Sequence, residues 1–335
     1  MTKQQVWIRS PLWDGFWILS GLPIGLVLLA LAGELPPRLI TFSLLVLLQT
    51  GHLLSPIMLA WAHAGFRRVM LAQKTKYIGV PLLVLAIPTA IGGVAGEGLT
   101  EYRPNLSLAA QINGWPDWKN PYLIMIWVYM IWNIYHFGMQ NFGVLSIYRR
   151  KSAVGSRRID MGFCLIITSV AMFLAVPISF IHVLDLRWPC IALSLVATSG
   201  MVWRDINARF CLPRLIFILT DGLALALIWW LPLIGYALYG MNHWLVAIGL
   251  SSHVHSASRG KSPIVFAVVV ILVGILCFGL LFVRPTPTGG IAIQMTMIAF
   301  GARVGLGFVH FLYDRYIYKL SDERARTTIG AALGE

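Results

Sequence analysis

The sequence predicts an all-helical, polytopic membrane bundle of about ten transmembrane helices. Of the 335 residues, 58% are hydrophobic and only 12% are charged, whereas a soluble domain carries about 25% charged residues. The mean hydropathy is +0.76. Apolar runs of about 20 residues, the length that crosses a bilayer, recur along the whole chain. We therefore expect one integral membrane domain over residues 1–335.

The apolar runs give approximate positions for the spans. The sixth and eighth runs are short for a helix that crosses without tilt. We interpret the first run as an uncleaved helix, because a long polar lead with Asp14 precedes it and Trp7, Trp13 and Trp17 form an interfacial aromatic cluster. The predicted spans are 16–33, 39–64, 77–95, 121–147, 160–182, 190–203, 213–237, 239–256, 263–283 and 290–313.

The net charge of +13 is distributed in a way that predicts orientation. Basic clusters such as "FRRVMLAQKTK", "YRRKSAVGSRR" and "SRGKS" follow even-numbered spans, whereas the other connections contain little Lys or Arg. The positive-inside rule then places both termini in the cytoplasm of a cell with a bacterial-type plasma membrane. We expect membrane lipids and no nucleic acid as partners, because no basic face alternates with stacking aromatic residues.

Seven of the eight histidines lie in even-numbered spans. Burying an imidazole in a bilayer costs free energy, so a histidine there indicates a functional role. Counting back from the nearest basic cluster gives their depth. By this count four histidines form a shallow layer near the cytoplasmic surface, and Asp314 follows the last of them by four residues on the same helix face. The shallow layer consists of His63, His253, His255 and His310.

His52 and His136 form a deeper layer, because they precede Arg67 and Arg149 by fifteen and thirteen residues, roughly 20 Å of helix. Gln140 follows His136 by one helical turn and shares its face. We expect His243 to lie near the opposite membrane face and to have another role.

His253 and His255 are two residues apart, so a regular helix points them about 200° away from each other. Only one of them then faces a shared site. An irregular turn after Gly249 would bring both to the same site.

Three kinds of site remain open. The first is a non-haem metal centre, with iron as the expected ion and His52, His136 and Gln140 in a catalytic cavity. The second is haem b with two axial histidines, His52 and His136. The third is a non-catalytic subunit of a membrane complex or a transporter that relays protons. For the first kind, the predicted metal ligands are His63, His253, His255, His310 and Asp314.

The fragments "GHLL", "YHFG", "HVH" and "VHF" resemble the Brp/Blh family of bacterial carotene-cleaving membrane dioxygenases. This resemblance implies a helical bundle that holds non-haem iron through histidines and acts on β-carotene. The matching fragments contain too little sequence to transfer any ligand residue by residue. We therefore expect an iron-dependent membrane oxygenase or hydroxylase whose lipid or isoprenoid-like substrate enters laterally between helices.

Overall fold

The computed structural model describes residues 6–30, 48–97, 121–175, 187–230, 232–282, 290–319 and 322–333. Within these ranges the chain is helical and contains no strand, which confirms the predicted all-helical class. Most of the connection between the third and fourth predicted spans (residues 98–120), the start of the second span and the end of the fifth lie outside the described residues.

The helices follow the apolar runs of the sequence. The predicted short sixth span belongs to a helix of 22 residues, which continues into polar sequence at its C-terminal end. The predicted boundary between the seventh and eighth spans was wrong: the eighth span belongs to a helix of 28 residues that already begins at Pro232, because the proline ends one helix and starts the next. A π-helical turn, Thr75–Gly79, precedes the fifth helix. In chain order the helices are α1 Pro11–Trp17, α2 Gly21–Ala30, α3 Thr50–Ala62, α4 Ala64–Ala72, α5 Val80–Glu97, α6 Pro121–Ser152, α7 Arg157–Ala175, α8 Arg187–Ala208, α9 Leu212–Trp230, α10 Pro232–Arg259, α11 Pro263–Phe282, α12 Gly290–Tyr318 and α13 Glu323–Leu333.

Four of these helices begin with proline, at Pro11, Pro121, Pro232 and Pro263. Proline is favoured at the first helical position, because its fixed φ suits the helix and its missing N–H would have no helical partner there. The sequence thus specifies where α1, α6, α10 and α11 start.

Helix α10 is the centre of the bundle. Residues 239–256 of α10 are all buried, and the helix packs against α2, α3, α7, α9 and α11. A helix that is buried on every side has no solvent-facing stripe. Its polar residues therefore all face neighbouring helices, and each needs a partner there.

Helices α5 and α12 pack closely through glycines. A side chain at Gly301 would collide with the carbonyl group of Pro88, and one at Gly92 with the carbonyl group of Met297. Small residues of this kind let two helix backbones approach each other closely. This contact fixes the position of α12, which carries His310.

An ion-pair network joins α6, α7, α8 and α9 at their basic ends. The guanidinium group of Arg214 is fully buried and contacts the carboxylates of Asp160 and Asp205. Arg149 and Arg204 also bind Asp160, at 3.1 Å each. Buried charges require such partners, so this network aligns the four helix ends.

Among the described residues one segment, Thr75–Val94, is long and apolar enough to cross a membrane by length and composition. This finding allows an association with membranes. The predicted number of about ten spans stays a prediction.

Candidate metal site

Four histidines from four helices converge at one point in the interior. His52 comes from α3, His136 from α6, His243 from α10 and His310 from α12. All four are buried, with exposed fractions between 0% for His310 and 8% for His136. One ring nitrogen of each lies within 4.8 Å of the corresponding atoms of the other three. These four residues, the four-histidine cluster, can hold a metal ion.

The spacing of two of these nitrogens suits a shared metal ion. The Nε2 atoms of His136 and His310 are 3.1 Å apart. Two nitrogens that bind one ion at about 2.1 Å are separated by about 3.0 Å at a right angle and by about 3.4 Å at a tetrahedral angle. The observed distance falls in this interval.

A hydrogen bond determines which nitrogen of His310 is available to a metal. The Nδ1 atom of His310 lies 3.2 Å from the carbonyl oxygen of Leu53. Because a carbonyl oxygen only accepts, Nδ1 carries the proton and donates it, which leaves the lone pair on Nε2. Metal-binding histidines are usually oriented by such a bond.

Other nitrogens of the cluster have no hydrogen-bond partner. This is true of both ring nitrogens of His243 and of Nδ1 of His52, within the part of the chain that the structure describes. An unsatisfied buried polar group costs about 1–3 kcal/mol. A metal ion would provide the partner that one nitrogen of each ring lacks.

Aromatic rings pack against the cluster and fix the imidazole planes. The ring of Phe137 stacks on His243 at a centroid distance of 3.6 Å, and Phe311 contacts His136 at 4.4 Å. The imidazoles of His52 and His310 meet edge to face at 4.1 Å. The site is therefore a tightly packed centre enclosed by apolar rings.

Asp314 lies beside the cluster, one turn after His310 on α12, as the sequence predicted. Its Oδ2 atom is 3.7 Å from Nε2 of His136 and 3.8 Å from Nε2 of His310. These distances are too long for hydrogen bonds. The carboxylate faces the same nitrogens that a metal would use, so Asp314 is placed to bind the ion or to stabilise its charge.

Gln140 contacts the cluster through the backbone. Its side-chain amide donates to the carbonyl oxygen of His243 at 3.0 Å. This bond joins α6 to α10 at the level of the site, so Gln140 positions His243.

The structure places His63 away from the four-histidine cluster. Helix α3 ends at Ala62, and His63 has an extended backbone with ψ of 118°. Its Nδ1 atom accepts from the N–H of Gly65 and caps the start of α4. The predicted place of His63 in one layer with His310 assumes that the helix of His52 continues to His63, and it ends at Ala62.

His253 and His255 also lie outside the cluster and point apart. Helix α10 is regular to Arg259, so no irregular turn follows Gly249. His253 contacts the carbonyl oxygen of Ala332 at 2.8 Å and Arg9 at 3.2 Å.

The ring of His255 stacks on Phe266 of α11 at 4.4 Å. Both histidines thus contact other parts of the protein. Neither lies beside His310 as predicted. The shallow layer of four histidines does not form one site in the structure.

The sequence predicts another role for His243, whereas the structure places it in the cluster. The same depth count would have found it, because His243 precedes Arg259 by sixteen residues, close to the values for His52 and His136. The count underestimated the depth of His310, because α12 continues past Arg315 to Tyr318 and packs against α13.

Comparisons with protein-family models, with characterised proteins and with solved structures find no match for this chain.

Proposed function

We propose that this chain is a multi-pass membrane protein whose four-histidine cluster holds iron for the oxidation of a hydrophobic substrate. The observation that carries the proposal is the convergence of four buried imidazoles from four helices. The proposal extends to a bundle of about ten spans in a bacterial-type plasma membrane.

The distribution of polar and apolar side chains supports the membrane location. Helix α11 exposes a continuous aliphatic face, and a soluble protein rarely exposes such a patch. Polar side chains such as Asn141, Asp221 and Asn242 are instead buried. A bilayer requires this arrangement, with polar groups inside and apolar groups outside. The exposed face of α11 consists of Ile264, Val265, Val268, Val269, Leu272 and Leu276.

The donor set is compatible with a redox metal such as iron. Imidazole suits iron, copper, nickel and zinc, and the cluster contains no thiolate among the described residues. Four imidazoles on an octahedral ion leave two positions for other ligands, which an oxygen-using iron centre needs. The resemblance to the Brp/Blh family favours iron among these metals.

The same donor set argues against haem b. A porphyrin fills four positions of its iron and leaves two axial ones. Haem between His52 and His136 would leave His243 and His310 without a role, although their rings lie 4.7 Å and 4.1 Å from that of His52.

An iron ion bound here would supply one-electron chemistry with dioxygen. The four histidines would hold the ion. The Leu53 carbonyl orients the ring of His310, Gln140 positions the backbone of His243, and the burial of the cluster excludes water. A dry site of this kind protects reactive species from hydrolysis and proton leakage.

The lateral entry that we propose for an apolar substrate would pass a series of packed aromatic rings, which would have to move apart. Trp132 on α6 is 41% exposed and contacts Phe308 of α12 at 6.4 Å. Phe308 contacts Phe311 at 6.0 Å, and Phe311 contacts His136. The rings connect the outer surface with the cluster, as expected for a lipid or isoprenoid substrate.

Turnover of a polyene by the purified protein tests this function. The iron-loaded full chain is incubated aerobically with β-carotene in detergent while polyene absorption and dissolved oxygen are followed. We expect both to fall with the wild type and with His255→Ala, and neither with His243→Ala. Equal rates for the two variants would refute the role of the cluster, and a Soret band in the purified protein would refute non-haem iron.

A proton-relaying transporter is the second candidate, and one observation favours it. The carboxylate of Asp221 is fully buried in α9, where Asn141 donates to it at 2.8 Å. Asn141 also contacts the hydroxyl of Tyr239, which bonds Thr168. Proton uptake into vesicles with the wild type but not with Asp221→Asn would support transport, and no difference between them would exclude it.

A further inference from the structure

A second possible binding site lies at the basic end of the bundle. A cavity of about 320 Å³ opens where α3, α4, the π-helical turn, α12 and α13 meet. Its volume is in the range of small-ligand sites, about 300–1,000 Å³. Buried apolar side chains form its inner wall, among them Ala60, Phe66, Met70 and Ile317.

The rim of this cavity is cationic. Four basic side chains line it, against the single carboxylate of Asp322. That carboxylate accepts a hydrogen bond from the backbone N–H of Arg324. Within the described ranges none of the four bases forms an ion pair, so the rim keeps an excess of positive charge. The four bases are Lys76, Arg315, Lys319 and Arg324.

Aromatic rings hold one of these bases at the mouth. The ammonium group of Lys76 lies 4.9 Å from the ring centroid of Tyr77 and 5.5 Å from that of Tyr316. The two rings meet edge to face at 4.6 Å, and the hydroxyl of Tyr313 donates to the carbonyl oxygen of Tyr77. Such contacts restrict the freedom of a lysine that would otherwise move in solvent.

We propose that this cavity binds an amphiphile through its phosphate group, with the phosphate at the cationic rim and the apolar chain along Phe66 and Met70. Arginine and lysine are the side chains that proteins use to bind phosphate. Because the inner wall of the cavity is apolar, we expect the ligand to carry a hydrocarbon part as well. The site is separate from the four-histidine cluster, since Ala60 follows His52 by eight residues, about 12 Å of helix.

Two sources share this chemistry, a membrane phospholipid and a soluble organic phosphate. The probes are therefore dihexanoyl phosphatidic acid, dihexanoyl phosphatidylcholine and inorganic phosphate, each titrated calorimetrically into the full chain in a neutral detergent. Binding of phosphatidic acid without inorganic phosphate supports the lipid source, and binding of both supports a soluble phosphate. Equal binding of phosphatidic acid and phosphatidylcholine, or binding of none of the probes, overturns the proposal.

Charge-removing variants locate the binding. We expect Lys76→Gln with Arg315→Gln to weaken phosphatidic acid binding at least about tenfold, because each charge-assisted hydrogen bond contributes substantially. Lys319→Gln with Arg324→Gln forms an independent second pair with the same expected loss. The matched control, Arg209→Gln with Lys261→Gln, removes two exposed bases outside the cavity. An equal loss in the control would overturn the assignment to this cavity.

Discussion

Replacing His243 by leucine should stabilise the metal-free protein and weaken its stabilisation by metal. In the metal-free protein both ring nitrogens of His243 are buried and unpartnered among the described residues. Leucine removes these unsatisfied groups, which cost about 1–3 kcal/mol each. It also loses the stacking on Phe137, worth about 0.5–1.5 kcal/mol. The metal-free variant should therefore be more stable than the metal-free wild type, by about 0.5–5.5 kcal/mol.

Metal reduces this advantage of the variant. At a metal concentration of one hundred times its dissociation constant, binding stabilises the wild type by about 2.7 kcal/mol. The variant lacks one of four ligands, and even a lost outer-shell contact weakens binding about 10–100-fold. The variant then keeps only about 0.4–1.4 kcal/mol of this stabilisation, so added metal shifts the difference in stability toward the wild type by about 1.3–2.3 kcal/mol.

The assay is thermal unfolding of the full chain in detergent, with chelator and with added Fe²⁺. His255→Leu is the matched control, since His255 is also buried, has an unpartnered Nδ1 and stacks on a phenylalanine, but lies outside the cluster. Its effect should be the same in both conditions. Equal responses of the two variants to Fe²⁺ would refute the assignment of His243 as a ligand.

Three further predictions concern the surroundings of the site. Asp314→Asn should lower iron affinity about 10–100-fold in a competition titration with a chromogenic chelator, because it removes the carboxylate beside two ligand nitrogens; an unchanged affinity would contradict this role. Gly301→Val should lower the unfolding temperature and the iron content together, since its side chain would push α12 away from Pro88 of α5; a variant with normal stability would show that α5 does not fix α12. Arg214→Met should lower the free energy of unfolding by about 3–5 kcal/mol, because the buried carboxylate of Asp160 loses its buried ion-pair partner. An unfolding titration that matches the wild type would contradict the role of the ion-pair network.

The sequence predicts the helices of this protein well, because long apolar runs and initial prolines specify them locally. It also predicts the pairing of His310 with Asp314, since one helical turn separates them. It also places His52 and His136 at a similar depth, because the depth of each is counted along its own helix from the basic residues that follow. Each of these predictions depends only on distances along one helix.

The composition of the site could not be predicted in full, because it depends on how helices meet. His63 does not lie in the cluster, because α3 ends at Ala62 and His63 caps the start of α4. Helix α10 is buried on all sides, so no apolar stripe shows which direction His243, His253 or His255 faces. Only the packing of α10 against α3 and α6 selects His243.

The metal content of the purified full chain tests the central claim most directly. Elemental analysis of protein reconstituted with Fe²⁺ and freed of unbound metal should give one iron per chain for the wild type and for His255→Ala. His52→Ala and His243→Ala should retain much less than one. A wild type without iron, or cluster variants that keep a full equivalent, would contradict the account.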